Sequence, residues 1–281
     1  MIKKITVRKG QLALLAKRGD YYKVLEAGEH RLPWFNTPDV LVVSRDGSEV
    51  PAALADYLRR FQPAWVDTYC LVVELTDNEV GVLYRNGVIE EVIPPASRRL
   101  FWQDDDALKL VRFDTRQVQV PDDVMAAVLQ PRRNGAVKGR DAIQVVQVPA
   151  WHVGVLKIDG ETQPLLMPGM SAWWKVNHLV EAEVVDTRLQ VLEVAGQEIL
   201  TKDKVNLRLN LAANWRYRDV LQAFGQLTRP LDHLYRELQF ALREAVGTRT
   251  LDELLEDKQV IDEVVSKQVD ARMAPFGIDI A

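Results

Sequence analysis

The sequence predicts an α+β fold: three tandem small antiparallel β modules joined by short helices, the third merging into a half-helical C-terminal region. Three observations predict it. A strand-and-turn pattern recurs over residues 2 to 51, 70 to 121 and 143 to 195. From Val205 to Tyr217 apolar and polar side chains alternate, which marks a long strand with one face in a core. After Asp219 the apolar residues switch to helical spacing.

Each repeat opens with a short apolar strand (Ile5 to Val7, Leu71 to Leu75, Val145 to Val148) and a second one: Ala13-Leu14-Leu15, Val80-Gly81-Val82-Leu83, Val153-Gly154-Val155-Leu156. A glycine dipeptide then turns the chain, at Gly19-Asp20, Asn86-Gly87 and Asp159-Gly160, because the two central residues of a tight hairpin turn need positive φ. A third strand follows, Tyr22 to Leu25, Ile89 to Ile93 and Gln163 to Met167. Beyond it comes an aromatic pair, Trp34-Phe35, Phe101-Trp102 or Trp173-Trp174, and then a closing strand, Val40 to Ser44, Leu108 to Asp114 or Ala182 to Asp186. Asp114-Thr-Arg116 and Asp186-Thr-Arg188 stand in register, and their recurrence favours cross-strand or inter-module pairing over acid/base chemistry.

Short amphipathic helices follow the first two modules, Pro51 to Phe61, ended by Pro63, and Pro121 to Pro131. Residues 131 to 142 form a basic, glycine-containing linker in which Arg132, Arg133, Lys138 and Arg140 are candidate lipid contacts. The expected segments are 1–69, 70–142 and 143–281. Beyond the linker, Gln197 to Leu200 and the strand from Val205 read as a hairpin around Thr201-Lys202-Asp203-Lys204. Val220 to Leu227 is a short helix, Leu231 to Val246 an amphipathic one stopped at Gly247, Thr250 to Glu253 a capping box, and a last helix starts near Lys258 before a strand from Phe276.

Composition excludes several functions. A net charge of −4 disfavours nucleic acid. The single cysteine, Cys70, in an apolar run, excludes a disulfide framework and reads as an inert thiol in a reducing cytoplasm. No apolar run reaches the ~18 residues that span a bilayer, and the start does not read as a signal peptide. His30, His152, His178 and His233 lack metal-ligand spacing, Asp104-Asp105-Asp106 reads as a solvated loop, and Lys138-Gly139-Arg140 lacks the phosphate-loop frame. No catalytic residue, cofactor or metal is expected. The structural candidates are the aromatic pairs, with one member in each module's own core and the other at its junction with a neighbour, the Asp-Thr-Arg triplets, and Trp215 on the apolar parity of the long strand.

Residues 143 to 281 resemble the SPFH (stomatin, prohibitin, flotillin; band-seven) domain, and among these the bacterial slipins. The resemblance is carried by Val153-Gly154-Val155-Leu156, Pro168-Gly169, the run Val191 to Val205, and Leu234-Tyr-Arg-Glu-Leu-Gln239 through Arg243 to Leu255. It implies a curved antiparallel sheet, no catalysis, and assembly into large rings or cages at membranes. Two extra β modules stand where stomatin-like proteins carry a membrane hairpin, and tandem modules of this kind resemble the vault shell protein. The expectation is a non-enzymatic, cytoplasmic scaffold forming a ring or shell as a homo-oligomer, through the SPFH domain and a C-terminal coiled coil lying beyond Ala281. The alternative is a peripheral organiser at the inner face of a membrane, partnering a membrane protease. This chain by itself is expected to be a weak oligomer or a monomer in dilute solution.

Overall fold

The structure, a computed structural model, describes residues 2–33, 35, 37–103, 107–130, 135–256 and 258–281. The chain divides into two compact units, residues 1–145 with 171–178, and residues 146–170 with 179–281.

The first repeat forms β1 (Ile2–Val7), β2 (Gln11–Lys17), β3 (Asp20–Leu25), β4 (Gly28–Pro33) and β5 (Asp39–Ser44). β1 pairs with β4, and β2 lies between β3 and β5, all antiparallel. After α1 (Ala52–Phe61) and α2 (Pro63–Tyr69), the second repeat supplies β6 (Cys70–Glu74), β7 (Glu79–Arg85), β8 (Val88–Ile93), β9 (Arg98–Trp102) and β10 (Leu108–Asp114). After α3 (Asp122–Leu129), the third supplies β11 (Ile143–Val148), β12 (His152–Ile158), β13 (Glu161–Thr162), β14 (Gly169–Trp174) and β15 (Val180–Asp186). Strand order is the same in all three: first with fourth, and second between third and fifth.

Register repeats too. Pairing slips by one residue between Leu15 and Ala16 in β2 and between Leu83 and Tyr84 in β7. The third copy shows the same slip, since Gly154 faces Leu166 while Lys157 faces Thr162. The turn residues with positive φ are Arg18-Gly19, Asn86-Gly87 and Asp159-Gly160. The first turn is therefore Arg18-Gly19 and not Gly19-Asp20: glycine is the second central residue in every copy, and Arg18 takes the strained first place. Of the expected strand from Gln163 to Met167 only an isolated bridge at Leu166 forms, and β13 precedes it, because Pro164 has no N–H to give the ladder.

The second strand of each module is apolar on both faces because both faces are covered. In β2, Ala13 and Leu15 pack with Val7, Leu25 and Leu32 in the module's own core. Leu12 and Leu14 face the other way, onto Val50, Ala55, Leu58 and Val66. Val80 and Val82 of β7 likewise meet α3. Pro63 ends α1 but also opens α2 as its first residue, since a proline at a helix start loses no hydrogen bond.

In the second unit β16 (Gln190–Leu200), β17 (Asn206–Tyr217) and β18 (Ile278–Ile280) form one antiparallel sheet. β16 begins seven residues earlier than the short strand expected at Gln197, and a bulge between Val194 and Gln197 interrupts it. β17 alternates as expected, with Ala213, Trp215 and Tyr217 buried and Asn206, Arg208, Asn210, Asn214 and Arg216 exposed. Its buried face packs on α4 (Val220–Gln226), α5 (Pro230–Gly247) and α7 (Lys258–Met273). α6 (Leu251–Glu256) starts at the capping box, where Thr250 N–H donates to Glu253 Oε2 at 2.8 Å and Glu253 N–H to Thr250 Oγ1 at 3.4 Å. Gly247 is the last residue of α5 and not a left-handed stop. The helix ends instead with Thr248 Oγ1 on Glu244 O (2.8 Å) and Arg249 Nη1 on Ala245 O (2.7 Å).

Candidate functional site

Of the side chains singled out in the sequence, Trp102 and Trp174 lie at module junctions. Within the first unit, the segment leaving the first module lies along β9: Val50 N–H donates to Leu100 O and Trp102 N–H to Ser48 O, at 2.8 and 2.9 Å. The segment leaving the second module lies along β14 in the same way, with Val120 N–H on Ala172 O and Trp174 N–H on Val118 O, both 2.8 Å. Glu49 faces Phe101, and Gln119 faces Trp173.

These ladders explain the aromatic pairs. Adjacent residues on a strand point to opposite faces. Phe101 enters its own module's core with Val73, Leu75, Leu83, Ile93 and Leu108, and Trp102 enters the preceding module's outer core with Leu12, Leu14 and Leu58. Trp174, fully buried, enters the core of Val80, Val82 and Val124, its ring 5.8 Å from that of Phe113; Trp173 is buried as well. The first copy departs from the expectation. Pairing of Val7 with Gly28 and of Leu75 with Ser97 aligns Leu32 and Pro33, not Trp34 and Phe35, with Phe101 and Trp102. Leu32 fills the module core as Phe101 does, Pro33 and Phe35 are exposed, and Trp34 lies outside the described residues.

Trp215 obeys the same rule inside the second unit. Gln190, which stands where Ser48 and Val118 stand, faces Trp215 across the β16–β17 ladder, and Trp215 is buried against Val155, Val185, Val220 and Leu234. It is therefore the counterpart of Trp102 and Trp174, a relation hidden in the sequence because no second aromatic precedes it.

The Asp-Thr-Arg triplets pair first within themselves, and the third-module triplet adds a cross-strand ion pair, His152 Nε2 to Asp186 Oδ2 at 3.8 Å. Each closes on itself: Asp114 accepts from the N–H and Nε of Arg116, both at 2.9 Å, and Asp186 does the same with Arg188 at 3.0 and 2.9 Å. The Arg116 guanidinium and N–H hold the Asp114 carboxyl at about 2. Those of Arg188, aided by His152, hold Asp186 well below the usual carboxylate range. A carboxylate chelated by its own neighbour in an exposed turn can fix a turn but has no proton to exchange near neutrality. The threonine between them secures the turn, with Thr115 Oγ1 on Asn78 O at 3.0 Å and Thr187 Oγ1 on Trp151 O at 2.8 Å.

The sequence reading missed the ion pairs that lock the first junction. Arg99 bridges Glu49 (2.6 Å) and Glu91 (2.7 Å), and the two carboxylates raise its pKa further. Arg85 binds Glu90 at 2.6 Å and donates to Asp46 O and Gly47 O. No local pattern betrays them, since the partners are up to 50 residues apart. A signal was available in the repeated Val50-Pro51 and Val120-Pro121 that mark the docking segments.

Lys138 and Arg140 are exposed, but the linker around them is ordered: Lys138 N–H donates to Glu90 O, Val92 N–H donates to Lys138 O, and Val137 is buried. Arg132, Arg133 and Asp104 to Asp106 lie outside the described residues. Burial pushes the Cys70 thiol up to about 12. Among the described residues no group of three or more His, Cys, Asp or Glu side chains is placed to hold a metal ion, and no helix is long and apolar enough to cross a membrane.

This fold defines a class: like β modules repeated along the chain, together with a sheet covered by helices. Residues 146–281 match the SPFH domain / Band 7 family, so this part of the chain carries an SPFH domain. A stomatin homolog of Pyrococcus horikoshii is 33% identical over 100 residues, 36% of this chain and 38% of that protein. Mouse stomatin is 27% identical over 96 residues, 34% of each chain, and mechanosensory protein 2 of Caenorhabditis elegans 28% over 96 residues, 34% of this chain and 20% of its own length. The match thus spans between a fifth and two fifths of the length of these relatives.

Proposed function

We propose that the protein is a non-enzymatic scaffold whose SPFH domain and β modules build a self-associating ring or shell. One observation carries this reading: the chemically capable side chains singled out above are tied up in structural roles, and Arg99 locks the first module junction. Asp114 and Asp186 are chelated by their own arginines, Arg99 is held between two glutamates, and Cys70 is kept a neutral thiol. The match of residues 146–281 to a family whose proteins commonly oligomerise supports it. Sedimentation of the full chain over a concentration series, with negative-stain microscopy of the heaviest fraction, tests it. Concentration-dependent association is expected; a monomer at every concentration would overturn it.

A second reading, a peripheral membrane organiser that partners a membrane protease, has its own observation. At one end of the third module Trp151 and Leu189 are 70% and 57% exposed, in neighbouring turns joined by Thr187. The equivalent turns hold Gly10 and Gly47 in the first module and Asn78 and Gln117 in the second. Flotation with anionic liposomes separates the readings: binding lost in Trp151→Ser with Leu189→Ser favours the membrane, and no flotation of the parent protein sinks it.

A further inference from the structure

The chain treats its exposed strand edges in different ways. β4 is the first module's counterpart of β9 and β14, but where Trp102 and Trp174 donate an N–H to the incoming segment it has Pro33, which has none to donate. β16 and β17 are the long strands, 11 and 12 residues. The outer edge of β16 is broken by its bulge, with Gly196 at φ +65°. β17 has no such protection: beyond the three residues paired with β18, its outer edge from Asn206 to Ala213 carries no proline, lysine or bulge, and among the described residues no strand pairs with it there.

We infer that this edge is an interface with a second copy of the chain, β17 pairing antiparallel with β17 about a two-fold axis at Leu209. The inference rests on the scaffold reading and gives it one specific contact. The occupant and register follow from charge and hydrogen-bond parity. Asn214 O accepts from Ala281 N–H and Arg218 N–H donates to Gly277 O, so the even-numbered residues turn their backbone groups to this side. Asn206, Arg208, Asn210 and Ala212 therefore present donors and acceptors to a new strand. Because one face of β17 is helix-covered and the other wet, even residues must oppose even ones. An axis at Arg208 would set two arginines against each other. An axis at Asn210 would set Asn206 against Asn214, whose carbonyl is already taken. An axis at Leu209 avoids both and sets Arg208 against Asn210, Asn206 against Ala212, and Leu207 against Leu211.

The same register suits the apolar face. Leu207, Leu209 and Leu211 are only half-buried in one copy, and the second strand would cover them. Val205 of the second copy would arrive opposite Ala213, at a groove of 140 Å³ lined by Leu211, Ala213, Leu238 and Val265. An isologous edge contact of this length is small beside the ~1,200 Å² of a stable interface, so the dimer is weak alone and gains from other contacts in a larger assembly.

Cysteine cross-linking of the full chain tests it. Leu209 would face its own copy as a non-hydrogen-bonded pair, with Cα atoms about 4.5 Å apart, within disulfide reach. With oxidised glutathione, Leu209→Cys is expected to give a covalent dimer and Leu207→Cys none, while Leu207→Cys mixed with Leu211→Cys cross-links. In light scattering, Arg208→Pro, which removes an edge donor, is expected to lose the concentration-dependent rise in mass. If Arg208→Pro proves unfolded by circular dichroism, the cross-linking pattern decides alone. Association that persists while the Leu209→Cys variant forms no covalent dimer overturns this interface and leaves the scaffold reading standing. A parent protein that is monomeric throughout overturns both.

Discussion

Trp174 and Trp215 occupy the same place in the repeat, yet different cover surrounds them. In the first unit Trp174 closes a core of module strands and one eight-residue helix, α3, while its own strand edge is taken up by residues 118–120. In the second unit Trp215 closes a core supplied largely by α4, α5 and α7. The difference shows that one docking rule, an extended segment on a strand edge with a tryptophan driven into the core behind it, serves both a module-to-module joint and the root of the SPFH sheet. Helical cover lets β17 grow to 12 residues, and a longer strand leaves more edge unpaired.

The largest effects should test whether the two tryptophans are equivalent. Trp174→Ala and Trp215→Ala should each cost about 3 to 5 kcal/mol, because both are essentially buried and truncation leaves a large cavity. Calorimetry resolves them: Trp174→Ala should lower the transition of the first unit and Trp215→Ala that of the second. One common shift for both variants would break the comparison.

Arg99→Ala comes next, at about 2 kcal/mol, since it strips the charged hydrogen bonds from Glu91, whose side chain is 15% exposed. Chemical denaturation should show the loss in the first unit only. A smaller effect concerns the self-closing turns. Asp114 is held at about 2 against an unfolded value of about 3.9. Its folded pKa is depressed, so its stabilisation is present above about pH 4 and is lost as pH falls through about 2. Carboxyl NMR titration should place its midpoint there, and Arg116→Ala should return it towards about 3.9.

The smallest change should be Arg216→Ala, under about 0.5 kcal/mol, because Arg216 lies on the exposed face of β17 with only a 4.0 Å ion pair to Asp279. Midpoints for Arg216→Ala and Trp215→Ala that shift equally would refute the assignment of faces.

Much of this was legible in the sequence because it is encoded over short range. Alternation in β17 gave its faces, and the glycine turns gave the repeat, to within one residue at Arg18-Gly19. The capping box at Thr250 and Glu253 has the form read from the sequence. Backbone geometry and local hydrogen bonds act over a few residues, so residue order alone determines them. The partner across a junction is decided by tertiary structure. Only the pairing register could show that Pro33 takes the place of Trp102 and that Trp215 is the third member of that series. Equivalence there depends on which backbone groups meet across distant strands, and spacing along the chain does not carry that.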